Sequence, residues 1–237
     1  MGIIVHAGLI FEVLKLMNLL AENLTLPFIV SGWLVFMLSF IWAFKTAPWY
    51  KVNDDRGAQN VLLGATILVF LLWQLSASLG NGLTFHFLMM TLLTLMFGAQ
   101  FALLAMSLAL LGVTFKSDLG WLSFGLNALL MGIIPIGITM ALLRFSKAYL
   151  ELNFFVYVFF NAFFAGAVSV VVSLGLGAWV LWVTETYTLA VLKQSFIPFI
   201  PLISSPEGFL NGFLIAGLLI FKPEWVSTFD GQIFIKK

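Results

Sequence analysis

Four long apolar stretches, Pro27–Phe44, Val61–Leu79, Leu119–Leu143 and Asn153–Val183, contain no charged residue. A hydrocarbon layer about 30 Å thick is crossed by about 20 residues of helix, and each stretch reaches or approaches that length. Composition agrees, because 62% of the 237 residues are hydrophobic and 9% are charged, against roughly 25% charged in soluble domains. The expected fold class is therefore all-α: a polytopic membrane helix bundle with about seven transmembrane helices. A soluble enzyme domain is excluded, since the longest polar stretches, Lys45–Asn60 and Lys222–Lys237, have the length of ordinary loops.

Charge and sulfur chemistry narrow the function further. Cysteine is absent, so thiolate nucleophiles and thiolate metal ligands are excluded, and any metal must take nitrogen or oxygen ligands. A formal net charge of +1 gives no attraction for nucleic acid; the lipid bilayer is the surrounding partner. H-E-x-x-H, G-x-S-x-G, P-loop and dinucleotide signatures are all missing. The reading is a protein that is not an enzyme, and active transport would draw its energy from another subunit.

The remaining segments are less regular. Residues 1–26 carry His6, Glu12, Lys15 and Glu22 among apolar residues, which suits an interfacial amphipathic extension ahead of a transmembrane domain over 27–237. Met17 offers an alternative start. The apolar region Thr84–Phe115 is interrupted at "FGAQ", Phe97–Gln100, which predicts two short helices separated by a turn. Thr188–Ser205 contains Pro198 and Pro201 and reads as irregular or re-entrant, followed by a last helix over Pro206–Phe221 with Pro206 in its first turn.

Seven crossings with the N-terminus outside and the C-terminus in the cytoplasm put Lys45, Lys51, Arg56, Arg144, Lys147, Lys222, Lys236 and Lys237 inside, leaving Lys15, Lys116 and Lys193 outside. That asymmetry obeys the positive-inside rule for a protein of the cell's inner (plasma) membrane. Trp49, Trp121 and Trp225 lie near span ends, as interfacial anchors do. Ala165, Ser169, Ser173 and Gly177 form a stripe of small residues at every fourth position. Such a stripe serves close helix packing within the bundle or docking of a partner membrane subunit.

The candidates for chemistry are polar groups within the apolar runs: His86, Asn127, Asn161, Glu207 and Asn211. In the seven-crossing arrangement His86, Asn127 and Glu207 converge on one side of the membrane. Imidazole nitrogen, amide oxygen and carboxylate suit a first-row divalent cation where thiolate is missing. They also serve ordinary interhelical hydrogen bonds, and a carboxylate in the first turn of a helix is favoured by the helix dipole. Asn127 and Asn161 fit helix glue, and Asn211, one turn beyond Glu207, shares its face.

The succession "FHFLMMTLLTLMFGAQFALLAMSLALL", "GLNALLMGIIPIG" and "PEGFLNGFLIAGLLIFKPEW" resembles the CbiM-type membrane permeases of energy-coupling factor transporters for cobalt and nickel. In that family a histidine opens a helix ending in an LFG-like turn, an N-x-x-x-M-G helix follows, and an E-G/A helix ends in a charged K/R-P-D/E segment. The resemblance spans roughly residues 60 to 230. It implies a substrate-binding permease component of an ABC-type transporter, working with a transmembrane coupling subunit and cytoplasmic ATPase subunits. It makes His86 the ligand histidine and Asn127 the motif asparagine; on the residues' own chemistry, Asn127 and Glu207 are the candidate oxygen donors beside His86. No tightly bound cofactor is implied; a divalent metal ion would be cargo. The start departs from the family's Met-His-Ile-Pro-Asp-Gly: this chain begins Met-Gly-Ile-Ile-Val-His, and Gly2 has no side chain to offer. The alternative is a non-transporting scaffold subunit that has lost the metal site and holds its partner through the small-residue stripe.

Overall fold

The computed structural model describes residues 24–74, 77–78, 84–116 and 120–231. The expected extension over 1–26, with His6 and Met17, lies outside the described residues up to residue 23. Helix α1 runs Leu26–Thr46 and α2 runs Arg56–Gln74. A two-residue antiparallel ladder, β1 Ala77–Ser78 with β2 Thr84–Phe85, leads to α3, Met90–Lys116. A helical stretch starting at α4, Phe124–Ala128, passes through a π-turn at Leu129–Ile133 into α5, Ile134–Tyr149. A second π segment, Val156–Phe164, continues as α6, Ala165–Val183. The short α7, Leu189–Ser195, precedes α8, Ile200–Phe221.

Six of these helical stretches are long and apolar enough to cross a membrane, and α3 is two pieces rather than one. Gly98 sits inside it at φ 81° and ψ 168°, a conformation open to glycine alone. The break expected at "FGAQ" is there. The piece before it is too short to cross unaided, but with the non-helical residues 86–89 it reaches about 25 Å. Its lower end lies beside the segment that succeeds α8, because the amide of Ser227 donates to the Met96 carbonyl at 2.8 Å. Lys147, near the end of α5, donates to the Thr228 carbonyl at 3.4 Å. Counting residues 86–97 as a leg of its own beside the six stretches, the described chain runs end to end seven times.

The outer surface is apolar, unlike that of a soluble protein, and polar groups are held inside. Leu26, Leu34, Met37, Ile41 and Phe44 on α1 are exposed, whereas Thr94, Asn127, Thr139, Ser146, Asn161, Glu207 and Asn211 are buried. An apolar exterior around an apolar core, with its few polar groups hydrogen-bonded inside, is what a bilayer solvent selects. Helices close tightly where glycines meet: a Cβ at Gly125 would stand 2.5 Å from the Trp33 amide nitrogen, and one at Gly32 would stand 2.6 Å from that of Leu126.

Two expectations change. The last helix starts at Ile200 with Pro201 in its first turn, so Pro206 lies inside it and deprives the Leu202 carbonyl of an amide donor. Membrane helices tolerate such a gap; one residue before it, the Ser204 and Ser205 hydroxyls both turn back onto the Pro201 carbonyl, at 3.3 and 2.9 Å. The stretch before it is not irregular throughout, since α7 forms and Thr188 caps it by accepting from the Val191 amide. The small-residue stripe is no docking face: Ala165, Ser169, Ser173 and Gly177 are all buried inside the bundle. α5 and α8 pack on α6; the close approach to α8 falls at Gly166, where a Cβ would stand 3.2 Å from the Asn211 amide nitrogen.

Candidate functional site

His86 opens the leg between the β-ladder and α3, and its side chain is 6% exposed. Trp73, from the last turn of α2, walls one side with ring centroids 5.5 Å apart. The same indole N–H donates to the Leu88 carbonyl at 3.4 Å. His86 is thus an inward-facing imidazole held beside an aromatic plate, at the point where the backbone leaves the ladder and enters the bundle.

The backbone just beyond His86 needs partners from elsewhere in the bundle. The first N–H groups of a helix have no partner within it, and here they lie deep among apolar side chains. Glu207 and Asn211 of α8 supply the partners. One Glu207 carboxylate oxygen accepts from the Leu88 amide at 2.9 Å and the other from the Met89 amide at 2.7 Å. The Asn211 carboxamide oxygen accepts from the Leu92 amide at 2.7 Å. Its nitrogen donates to the Glu207 carbonyl at 2.7 Å and to the Glu207 carboxylate at 3.1 Å. A carboxylate and an amide one turn apart therefore cap the N-terminus of another helix, where the dipole favours negative charge. Glu207 is not in the first turn of its own helix, and the helix it stabilises through its charge is α3.

Local sequence explains the placement. In "EGFLNG" the two polar residues are each followed by glycine. A Cβ at Gly208 would stand 2.6 Å from the Phe163 carbonyl oxygen, and one at Gly212 would stand 3.0 Å from the Phe163 Cβ. The glycines let α8 lie against the π segment while Glu207 and Asn211 point at residues 88–92. Met89 takes a positive φ of 58°, a cost that an unbranched side chain bears at about 1 kcal/mol or more; it turns consecutive amides toward one carboxylate.

The other predicted groups sort by depth. Below the cap, the Thr91 hydroxyl meets that of Thr139 at 2.8 Å and that of Ser169 at 3.4 Å. Measured from that level, His86 lies back along the chain from Thr91 and Asn127 lies back from Thr139, so both stand toward the same end of the bundle. Asn127 is buried and donates to the Ser123 hydroxyl at 3.4 Å, just before the π-turn. Asn161 is at the other end, accepting from Ser146 at 2.8 Å, and acts as helix glue. The structure thus brings Glu207 and Asn211 to the His86 segment and puts Asn127 on the His86 side. Sequence reasoning missed Trp73, Thr91, Thr139 and the Leu88 and Met89 amides; hydroxyls recurring inside apolar runs were the available signal. Among the described residues no three of His, Asp and Glu stand close enough together to hold a metal ion.

Residues 18–225 match the CbiM family, described as the cobalt uptake substrate-specific transmembrane region. The chain belongs to that family. A comparison with curated proteins finds no match. A solved structure described as a truncated transition metal transporter superposes with a TM-score of 0.67 at 16% identity, covering 86% of this chain and 98% of that one. At that identity the likeness establishes the fold. As a CbiM-family protein, the chain is a multi-pass membrane component of metal uptake.

Proposed function

We propose that this protein is the substrate-binding permease subunit of an energy-coupling factor transporter and that its cargo is a divalent transition-metal ion of the cobalt or nickel kind. His86 is the principal ligand. Imidazole is a preferred donor for such ions, and an ionisable side chain buried in a membrane bundle is a functional position by default. The observation that carries the reading is the buried His86 on a segment held from outside by two polar side chains of α8. Ligands held at one remove by such bonds keep their orientation. In this reading Glu207 supports the site through Leu88 and Met89, and Asn127 contributes an oxygen from the same side.

With the N-terminus outside, the His86 end faces the exterior and the Lys- and Arg-rich end faces the cytoplasm. A transmembrane coupling subunit and ATPase subunits would act from that cytoplasmic end, since the sequence has no nucleotide site of its own. Uptake of cobalt or nickel by cells carrying the whole transporter tests this. The His86→Ala protein should insert normally and lose at least about tenfold in apparent affinity. Unchanged uptake would remove His86 from the mechanism. The scaffold reading draws on the lack of a three-ligand cluster among the described residues; co-purification of a partner without any ATPase would favour it.

A further inference from the structure

The leg that carries His86 is held at its upper end by α8, with Trp73 beside it, and at its lower end by the segment that follows α8. At the upper end Glu207 and Asn211 of α8 hold the Leu88, Met89 and Leu92 amides. At the lower end the segment after α8 closes on the same short helix: the Ser227 amide donates to the Met96 carbonyl at 2.8 Å, and the Thr228 hydroxyl donates to the Leu95 carbonyl at 2.8 Å. The Thr228 amide also reaches Leu95, at 3.3 Å. Tyr157 braces this junction through a 2.6 Å bond between its hydroxyl and that of Thr228.

The helix between the junctions, residues 90–97, is flanked by two residues with positive φ, Met89 at 58° and Gly98 at 81°. Both are points where the backbone changes direction, so the piece between them is a short rigid rod with a pivot at each end. The terminal backbone groups named above are met by α8 and the segment after it, while Thr91 in the middle of the rod is held by Thr139 and Ser169, so a displacement at one end is passed to the other about that middle contact. A cavity of about 440 Å³ opens beside the lower junction, lined by Met96, Phe97, Trp225 and Ser227 together with residues of the 48–62 region. The lower junction is therefore reachable from the end of the bundle opposite His86.

We propose that Thr228 is a positioning residue for the His86 site: the contact it makes with Leu95 sets, through the rod of residues 90–97, where residues 86–89 stand. Its effect on metal rests on the reading of His86 as a ligand; its effect on the backbone does not. A push at the Thr228 end is thereby felt by His86 without any contact between them.

The test uses the full chain in lipid nanodiscs with Thr228→Val, which keeps the branched shape and removes the hydroxyl, and Thr228→Ser, which restores it. Hydrogen–deuterium exchange should speed up by about fivefold at the Leu88, Met89 and Leu92 amides in Thr228→Val and return to normal in Thr228→Ser, a size typical of coupling between distant positions. Exchange in α7, which makes none of these contacts, should not change in either variant, which separates positioning from general loosening. If Thr228→Val fails to fold, Tyr157→Phe removes the brace and should give a smaller change of the same kind. Unchanged exchange at 88–92 in a folded variant overturns the proposal. Equilibrium binding of cobalt(II) is measured alongside, with a loss of about fivefold expected for Thr228→Val. If the parent protein binds no cobalt or nickel, the metal reading fails while exchange still decides the coupling. If the parent binds and Thr228→Val binds equally well with normal exchange, the coupling alone fails.

Discussion

Glu207 shows how much one side chain carries when no water can replace it. Its two oxygens serve two backbone amides of another helix, and hydrogen bonds to a charged group are worth about 1.5–3 kcal/mol each in stability. Glu207→Gln keeps the shape and one acceptor oxygen, so one amide loses its partner. The variant should be destabilised by about 2 kcal/mol, read as a lower midpoint of denaturant unfolding in detergent, with faster exchange at Leu88 or Met89. A midpoint equal to that of the parent would mean that the carboxylate contributes nothing there. The pairing of Glu207 with Asn211 was legible in the sequence, because positions one turn apart share a face. Their partners were not. Leu88 and Leu92 participate through backbone amides, which every residue except proline has, and they lie more than a hundred positions away in the chain.

At the scale of elements, the apolar runs were readable because membrane thickness sets a length that composition alone can meet. Pro27–Phe44 became Leu26–Thr46, and Asn153–Val183 became the stretch from Val156 to Val183. The turn at Gly98 was readable for the same kind of reason, since a glycine between apolar helices marks a change of backbone direction. The π-turns and the start of α8 were not, because they depend on which neighbours supply hydrogen bonds around Pro206 and Phe163. Element packing gives its own prediction at the contact of α1 with α4. Gly125→Ala would drive a methyl to within 2.5 Å of the Trp33 backbone, and backbone cannot swing aside. The two helices must part, at a cost of about 1–3 kcal/mol, which thermal unfolding in detergent would register. A parent-like midpoint would show that α1 shifts freely, as an outer helix with few buried residues could.

For the whole molecule, the family match gives a transmembrane region and the burial pattern turns its polar groups inward, around the interrupted leg. The seven traverses were expected from the apolar runs with Thr84–Phe115 crossing twice, and of the two short pieces read there the first, residues 86–97, is only partly helix. That leg also bears on how the chain is made. Residues 86–92 leave the ribosome well before Glu207 and Asn211 exist, and until then their amides have no partner that hydrocarbon can offer. The leg should therefore wait at the surface as a loop and enter the bundle only after α8 has been synthesised. A nascent chain arrested before residue 200 should leave a cysteine placed at Leu88 open to a water-soluble maleimide, whereas release of the complete polypeptide should shield it; on this account, the third traverse is among the last parts of the protein to be assembled.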